Sequence, residues 1–143
     1  MYEYALSGLT RALGPDHIHA IGAVNNLANL YCEQGKVLRA QELYNQALVG
    51  ITEKLGPAHY FVWGVTNNLG LCYAMQGNFD LAHQIYQAAR NGFHKSLGPE
   101  HPHTKMVCYN LKELELKETQ IDLSTHYAGA TGSVDRPRRM WYY

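Results

Sequence analysis

The sequence predicts an all-α solenoid of antiparallel helix pairs, and three observations carry that expectation. Leu13-Gly14-Pro15, Leu55-Gly56-Pro57 and Leu97-Gly98-Pro99 recur at a spacing of 42 residues. Asn25-Asn26-Leu27, Gln34-Gly35, Ala40, Tyr44 and Ala47 return at the same spacing as Asn67-Asn68-Leu69, Gln76-Gly77, Ala82, Tyr86 and Ala89. Between these landmarks apolar residues fall at helical intervals, Val24, Leu27, Ala28 and Tyr31 standing at i, i+3, i+4 and i+7. A fixed period of this size marks a stack of supersecondary units, each burying its apolar face on the next. The 143 residues hold about two full units, with partial units at each end.

Residues 2–12 match the second half of the later units, with Tyr2, Ala5 and Leu9 aligned on Tyr44, Ala47 and Ile51. Residues 1–17 therefore read as the second helix of a truncated unit and a linker. Either the chain is a piece of a longer protein or this helix lacks a cover for its Tyr2/Ala5/Leu9 face, which becomes the candidate contact of a homodimer. The first full unit, 18–59, starts with a helix from about Ile18 to Glu33. Gln34-Gly35 ends it, because Gly adopts the left-handed conformation without a Cβ penalty and lets the chain reverse. A second helix follows from about Val37 to Lys54, with Ala40, Tyr44, Ala47 and Ile51 on one face. Small residues at Ala28, Ala40 and Ala47 permit close approach, and Tyr31 and Tyr44 fill the space beside them. Residues 60–101 repeat the unit, with Tyr73 in the place of Tyr31.

Gly14, Gly56 and Gly98 stop the second helices, and Pro15, Pro57 and Pro99 bar their continuation. In the third unit Lys112 occupies the small-residue position of Ala28 and Gly70, and Glu115 that of Tyr31 and Tyr73. Residues 102–118 thus read as a capping helix, polar where another pair would dock. Residues 119–143 lose the pattern, and with Gly129-Ala130-Thr131-Gly132-Ser133 they read as a flexible tail. The closing Arg138-Arg139-Met140-Trp141-Tyr142-Tyr143 has the residue types of a docking motif, but a tail without a partner is the reading preferred.

Composition narrows the function. Twelve Lys and Arg balance twelve Asp and Glu, so the basic footprint of a nucleic-acid or acidic-membrane binder is missing, and neither partner is expected. Cys32, Cys72 and Cys108 are odd in number and share no repeat position, which indicates neither a disulfide framework nor a zinc site and suits a reducing cytoplasm. The N-terminus shows no secretory pattern. Residues 55–79 carry no charge, yet Pro57, Asn67, Asn68 and Gln76 interrupt any span of about 20 apolar residues. Of the eight histidines, His17, His59 and His101 share one repeat position. Successive units lie roughly 10 Å apart, too far for common ligands of one metal at about 2.0–2.1 Å. These residues are expected to help start the first helix of each unit, and no metal or other cofactor is expected. No phosphate-binding glycine pattern and no nucleophile context occurs, so the chain is not expected to be an enzyme.

The order small–Tyr–Gly–Ala–aromatic–Ala, in Ala28, Tyr31, Gly35, Ala40, Tyr44, Ala47 and again in Gly70, Tyr73, Gly77, Ala82, Tyr86, Ala89, resembles the tetratricopeptide repeat. The resemblance covers about residues 1–118 and implies a right-handed superhelix. The usual period of that repeat is about 34 residues. The longer period here, with Leu-Gly-Pro-(Asp/Ala/Glu)-His before the first helix and Asn-Asn-Leu within it, is similar to the kinesin light chain subgroup, and to arrays at the ends of large signalling ATPases. The residues displaced from the core stripe are Gly22, Asn26, Asn29 and Glu33, then Gly64, Asn68, Leu71 and Met75, then Met106, Asn110, Glu113 and Lys117. They form a groove-facing row. An Asn amide offers both donor and acceptor to a peptide backbone, and the resemblance implies that role for Asn26, Asn68 and Asn110, although some could bond neighbouring helices instead. The expected groove is Asn26, Asn29, Asn68, Leu71, Met75, Met106 and Asn110. The function expected is a protein–protein interaction module and adaptor, with a structural spacer or oligomerisation segment of a signalling ATPase as the alternative.

Overall fold

A computed structural model describes residues 18–126, with side chains through 119, and residues 140–142. Among the described residues the chain forms five helices and no strand: α1 (Ile18–Glu33), α2 (Val37–Leu55), α3 (Tyr60–Met75), α4 (Phe79–Leu97) and α5 (Pro102–His126). Each packs on its successor, and α3 also touches α1 and α5, so the first helices of the units line one side of the stack. This is a helical-repeat solenoid. The Tyr2/Ala5/Leu9 face, His17 and the Gly14 stop lie outside the described residues.

The turns follow from backbone chemistry. Gly35 and Gly77 have φ of 79° and 80°, and Gly56 and Gly98 have φ of 88° and 89°. At the first turn the Lys36 N–H reaches the Tyr31 carbonyl at 2.8 Å and the Gly35 N–H reaches that of Cys32 at 3.0 Å. The second repeats it, with Asn78 on Tyr73 and Gly77 on Ala74. These paired bonds satisfy carbonyls left open at a helix end, and only a residue tolerant of positive φ completes them. Histidine starts two helices: His59 Nδ1 accepts from the Phe61 N–H at 3.2 Å and His101 Nδ1 from the His103 N–H at 3.1 Å. Asn78 caps α4 more weakly, accepting from the Leu81 N–H at 3.5 Å.

Ala28, Ala40, Tyr44, Ala47 and Ile51, with Ala82, Tyr86, Ala89 and Phe93, are buried in the core. Small residues set the helix spacing: a Cβ on Gly70 would stand 2.9 Å from the Tyr86 ring. Tyr31 and Tyr73 differ from expectation, being only partly buried. They sit at the core's edge, where Lys36 Nζ lies 5.5 Å from the Tyr31 ring centroid. Tyr44 and Tyr86 are the true central aromatics, 0% and 1% exposed.

The C-terminal portion departs from its sequence reading in two ways. α5 runs to His126 rather than stopping at 118, because residues 119–126 contain neither Gly nor Pro to end it. Leu111 and Leu114 are buried while Lys112 and Glu115 are exposed, which leaves α5 polar on its outer side. The second departure is Met140–Tyr142, expected in a flexible tail: Trp141 is only 4% exposed and belongs to the core cluster.

Candidate functional site

The site is built on α1, α3 and α5, which turn a row of amides to one side. Asn25, Asn29, Asn67, Asn68 and Asn110 are all buried. A buried amide left unpaired costs roughly 1–3 kcal/mol, so these five must supply one another or find a guest. They do both. Asn68 Nδ2 donates to Asn25 Oδ1 at 3.1 Å and Asn29 Oδ1 at 3.0 Å, linking α3 to α1. Asn110 Nδ2 donates to Asn67 Oδ1 at 2.9 Å, linking α5 to α3. The Tyr44 hydroxyl donates to Asn29 Oδ1 at 2.5 Å and so orients it from α2. Burial pushes the Tyr44 pKa well above its ordinary value, helped by Cys32, so the phenol stays a donor.

The guest is the chain's own C-terminal segment. The Trp141 N–H donates to Asn68 Oδ1 at 2.7 Å, and Asn68 Nδ2 returns a bond to the Trp141 carbonyl, also at 2.7 Å. The same carbonyl accepts from Asn29 Nδ2 at 3.0 Å and from Asn25 Nδ2 at 3.4 Å. Asn68 thus holds both backbone groups of one residue, a grip that ignores the side chain.

Other residues receive the indole. Phe61 meets it edge to face with centroids 5.0 Å apart, and His103 does so at 6.4 Å. A Cβ on Gly64 would come within 2.3 Å of Trp141 Cδ2, so glycine there leaves the indole its space. Burying a Trp removes on the order of 150–250 Å² from water, worth about 4–6 kcal/mol gross at ~25 cal/mol per Å². Beside it the Tyr142 hydroxyl donates to Glu33 Oε1 at 2.8 Å. The His103 pKa lies below its ordinary value because the imidazole is partly buried, with His101 adding to the effect.

The expected groove residues therefore divide. Asn29 and Asn68 meet the seated segment. Asn110 bonds a neighbouring helix, the alternative left open for it. Asn26 accepts from Asn25 Nδ2 at 3.3 Å. Leu71 and Met106 are buried at 2% and 9% exposure, whereas Met75 is 38% exposed at the rim, where Cys32 Sγ donates to its Sδ at 3.2 Å. Asn25, Phe61 and His103 were not anticipated, and Trp141 figured only in the C-terminal docking motif that ranked below a tail without a partner. Their nearest signal was Gly64, a glycine inside a helix on the groove-facing row.

Cys32 and Cys72 bring their sulfurs to 3.6 Å as free thiols. Its hydrogen bond with Cys32 and its burial hold the Cys72 pKa far above the ordinary thiol value, so Cys72 is not poised as a thiolate. Among the described residues no cluster of three metal-ligating side chains occurs, and no helix is long and apolar enough to cross a membrane.

Residues 20–90 match the family model of the tetratricopeptide repeat. Over that stretch the chain is similar to tetratricopeptide repeats. Such repeats generally mediate protein–protein interaction, and they are not themselves enzymes. No curated protein matches the chain.

Proposed function

We propose that these tetratricopeptide repeats bind a peptide or protein segment along the α1–α3–α5 face and serve as an adaptor or scaffold in a larger assembly. The 42-residue period favours a kinesin light chain-like array. The observation that carries the reading is the double grip of Asn68 on the Trp141 N–H and carbonyl at 2.7 Å each. A backbone held this way is the recognition expected of a groove that accepts extended segments of varied sequence. Each such bond contributes a net of roughly 0.5–1.5 kcal/mol, and ordering the segment offsets part of the gain. Micromolar affinity follows. Balanced charge leaves little electrostatic steering of the encounter.

The test is to select peptides from a displayed library on the full chain and remeasure them on an Asn68→Ala chain shown to be helical at the assay temperature. Affinity is expected to fall about five- to tenfold, the loss of one or two such bonds. Asn68 also serves Asn25 and Asn29, so a lowered melting temperature accompanies the change. Binding that survives joint replacement of Asn26, Asn68 and Asn110 would remove the groove from consideration and leave a structural spacer or oligomerisation segment as the better reading.

A further inference from the structure

Met140–Tyr142 lies on the Asn ladder as a guest would, and the contacts around it discriminate. The Asn68 grip accepts any residue, but the slot beside it is shaped by Phe61 and His103, which stand one repeat apart on α3 and α5, and by the missing Cβ of Gly64. A flat bicyclic ring fills that slot to 4% exposure. The next residue is read by Glu33, which accepts from the Tyr142 hydroxyl. Selection therefore sits at two adjacent side chains.

Resting on the groove reading above, we propose that this site takes segments carrying Trp followed by Tyr, and that Met140–Tyr142 is its built-in competitor. Residues 127–139 join the end of α5 to Met140, and a short tether holds a ligand at an effective concentration on the order of millimolar. An outside segment of micromolar affinity then meets a groove already occupied, and its apparent affinity falls about tenfold or more. The occupant is displaceable. Its indole Nε1–H is buried with no hydrogen-bond partner among the described residues, and Tyr142 remains 57% exposed.

The experiment compares the full-length chain with its Trp141→Ala variant for binding of a labelled free peptide of sequence Arg-Arg-Met-Trp-Tyr-Tyr, read by fluorescence polarisation. The variant is expected to bind it about tenfold or more tightly than the parent, and a peptide with Ala in place of Trp is expected to bind neither chain. Equal affinity of the two chains overturns the competitor, and failure of the Trp141→Ala chain to bind overturns the Trp-directed site. Library peptides that still bind that variant through Asn68 keep the groove reading separate from this outcome. A second variant, Gly64→Ala, leaves every ladder amide in place while filling the slot. Its helical signal is expected to persist while tryptophan emission moves to the red, acrylamide quenching rises and the peptide no longer binds. Unchanged emission overturns the seat, and parent emission that varies on dilution assigns the occupant to a second copy.

Discussion

The two helix pairs share a pattern but fill the same contact differently. In the first, Ile21 lies against Gly50, and a Cβ there would stand 3.0 Å from the Ile21 Cδ1. Forty-two residues on, Trp63 lies against Gly92, and the same Cβ would stand 2.0 Å from the indole Cδ2. One glycine is a convenience and the other a requirement. A repeat position therefore names a contact, while its volume is settled by whichever partner grew.

The largest effect tests whether the two pairs share one kind of core. Tyr44→Ala and Tyr86→Ala should each destabilise the chain by about 3–5 kcal/mol, because both rings are almost wholly buried. Chemical denaturation followed by circular dichroism measures it. Tyr73→Ala should cost clearly less, its ring being only partly buried. Equal losses at Tyr73 and Tyr86 would break the distinction between edge and centre.

A middling effect separates the pairs directly. Gly92→Ala should destabilise by about 1–3 kcal/mol, since an indole cannot yield by a whole ångström without leaving its rotamer. Gly50→Ala should be close to neutral, because the gain of about 0.5–1 kcal/mol for removing a mid-helix glycine is offset as the flexible end of Ile21 gives way. Equal shifts in melting temperature would end the comparison.

The smallest effect concerns the position shared by Phe61 and His103, only one of which titrates. The folded pKa of His103 is lowered by burial and by His101, so its neutral form is the one the fold favours. That contribution is present in full above the ordinary value of about 6.5 and is lost as pH falls below it toward the lowered folded value. The melting temperature should decline slightly in that window. A His103→Phe chain, which repeats the Phe61 side chain, should show a flatter decline there, and identical profiles would remove His103 as the source.

What was legible in the sequence follows from where backbone chemistry is strict. Gly35 and Gly77 announce their turns because positive φ excludes most other residues, and α1 starts and stops at the expected residues. The passage of α5 beyond residue 118 was not legible, because the repeat pattern is lost there. Nor was the seat of Trp141, because a contact across 73 residues to Asn68 leaves no periodicity to read. The ladder was half legible: the recurrence of Asn26, Asn68 and Asn110 exposed the row. Asn25 and Asn67 were hidden because their role as acceptors for the following unit depends on helix stacking.

That stacking fixes the sense of the ladder. Asn68 reaches Asn25 and Asn110 reaches Asn67, each across 43 residues in a chain that repeats every 42. The rungs climb like a screw thread. Near-identical units invite misassembly, in which a helix docks on the wrong neighbour with its apolar stripe still satisfied. A thread of buried amides removes that freedom, since a helix seated out of order or one turn astray would strand a polar group at every rung at once. The asparagines thus act as a proofreading key for assembly of the stack, whether or not a guest ever lies upon them.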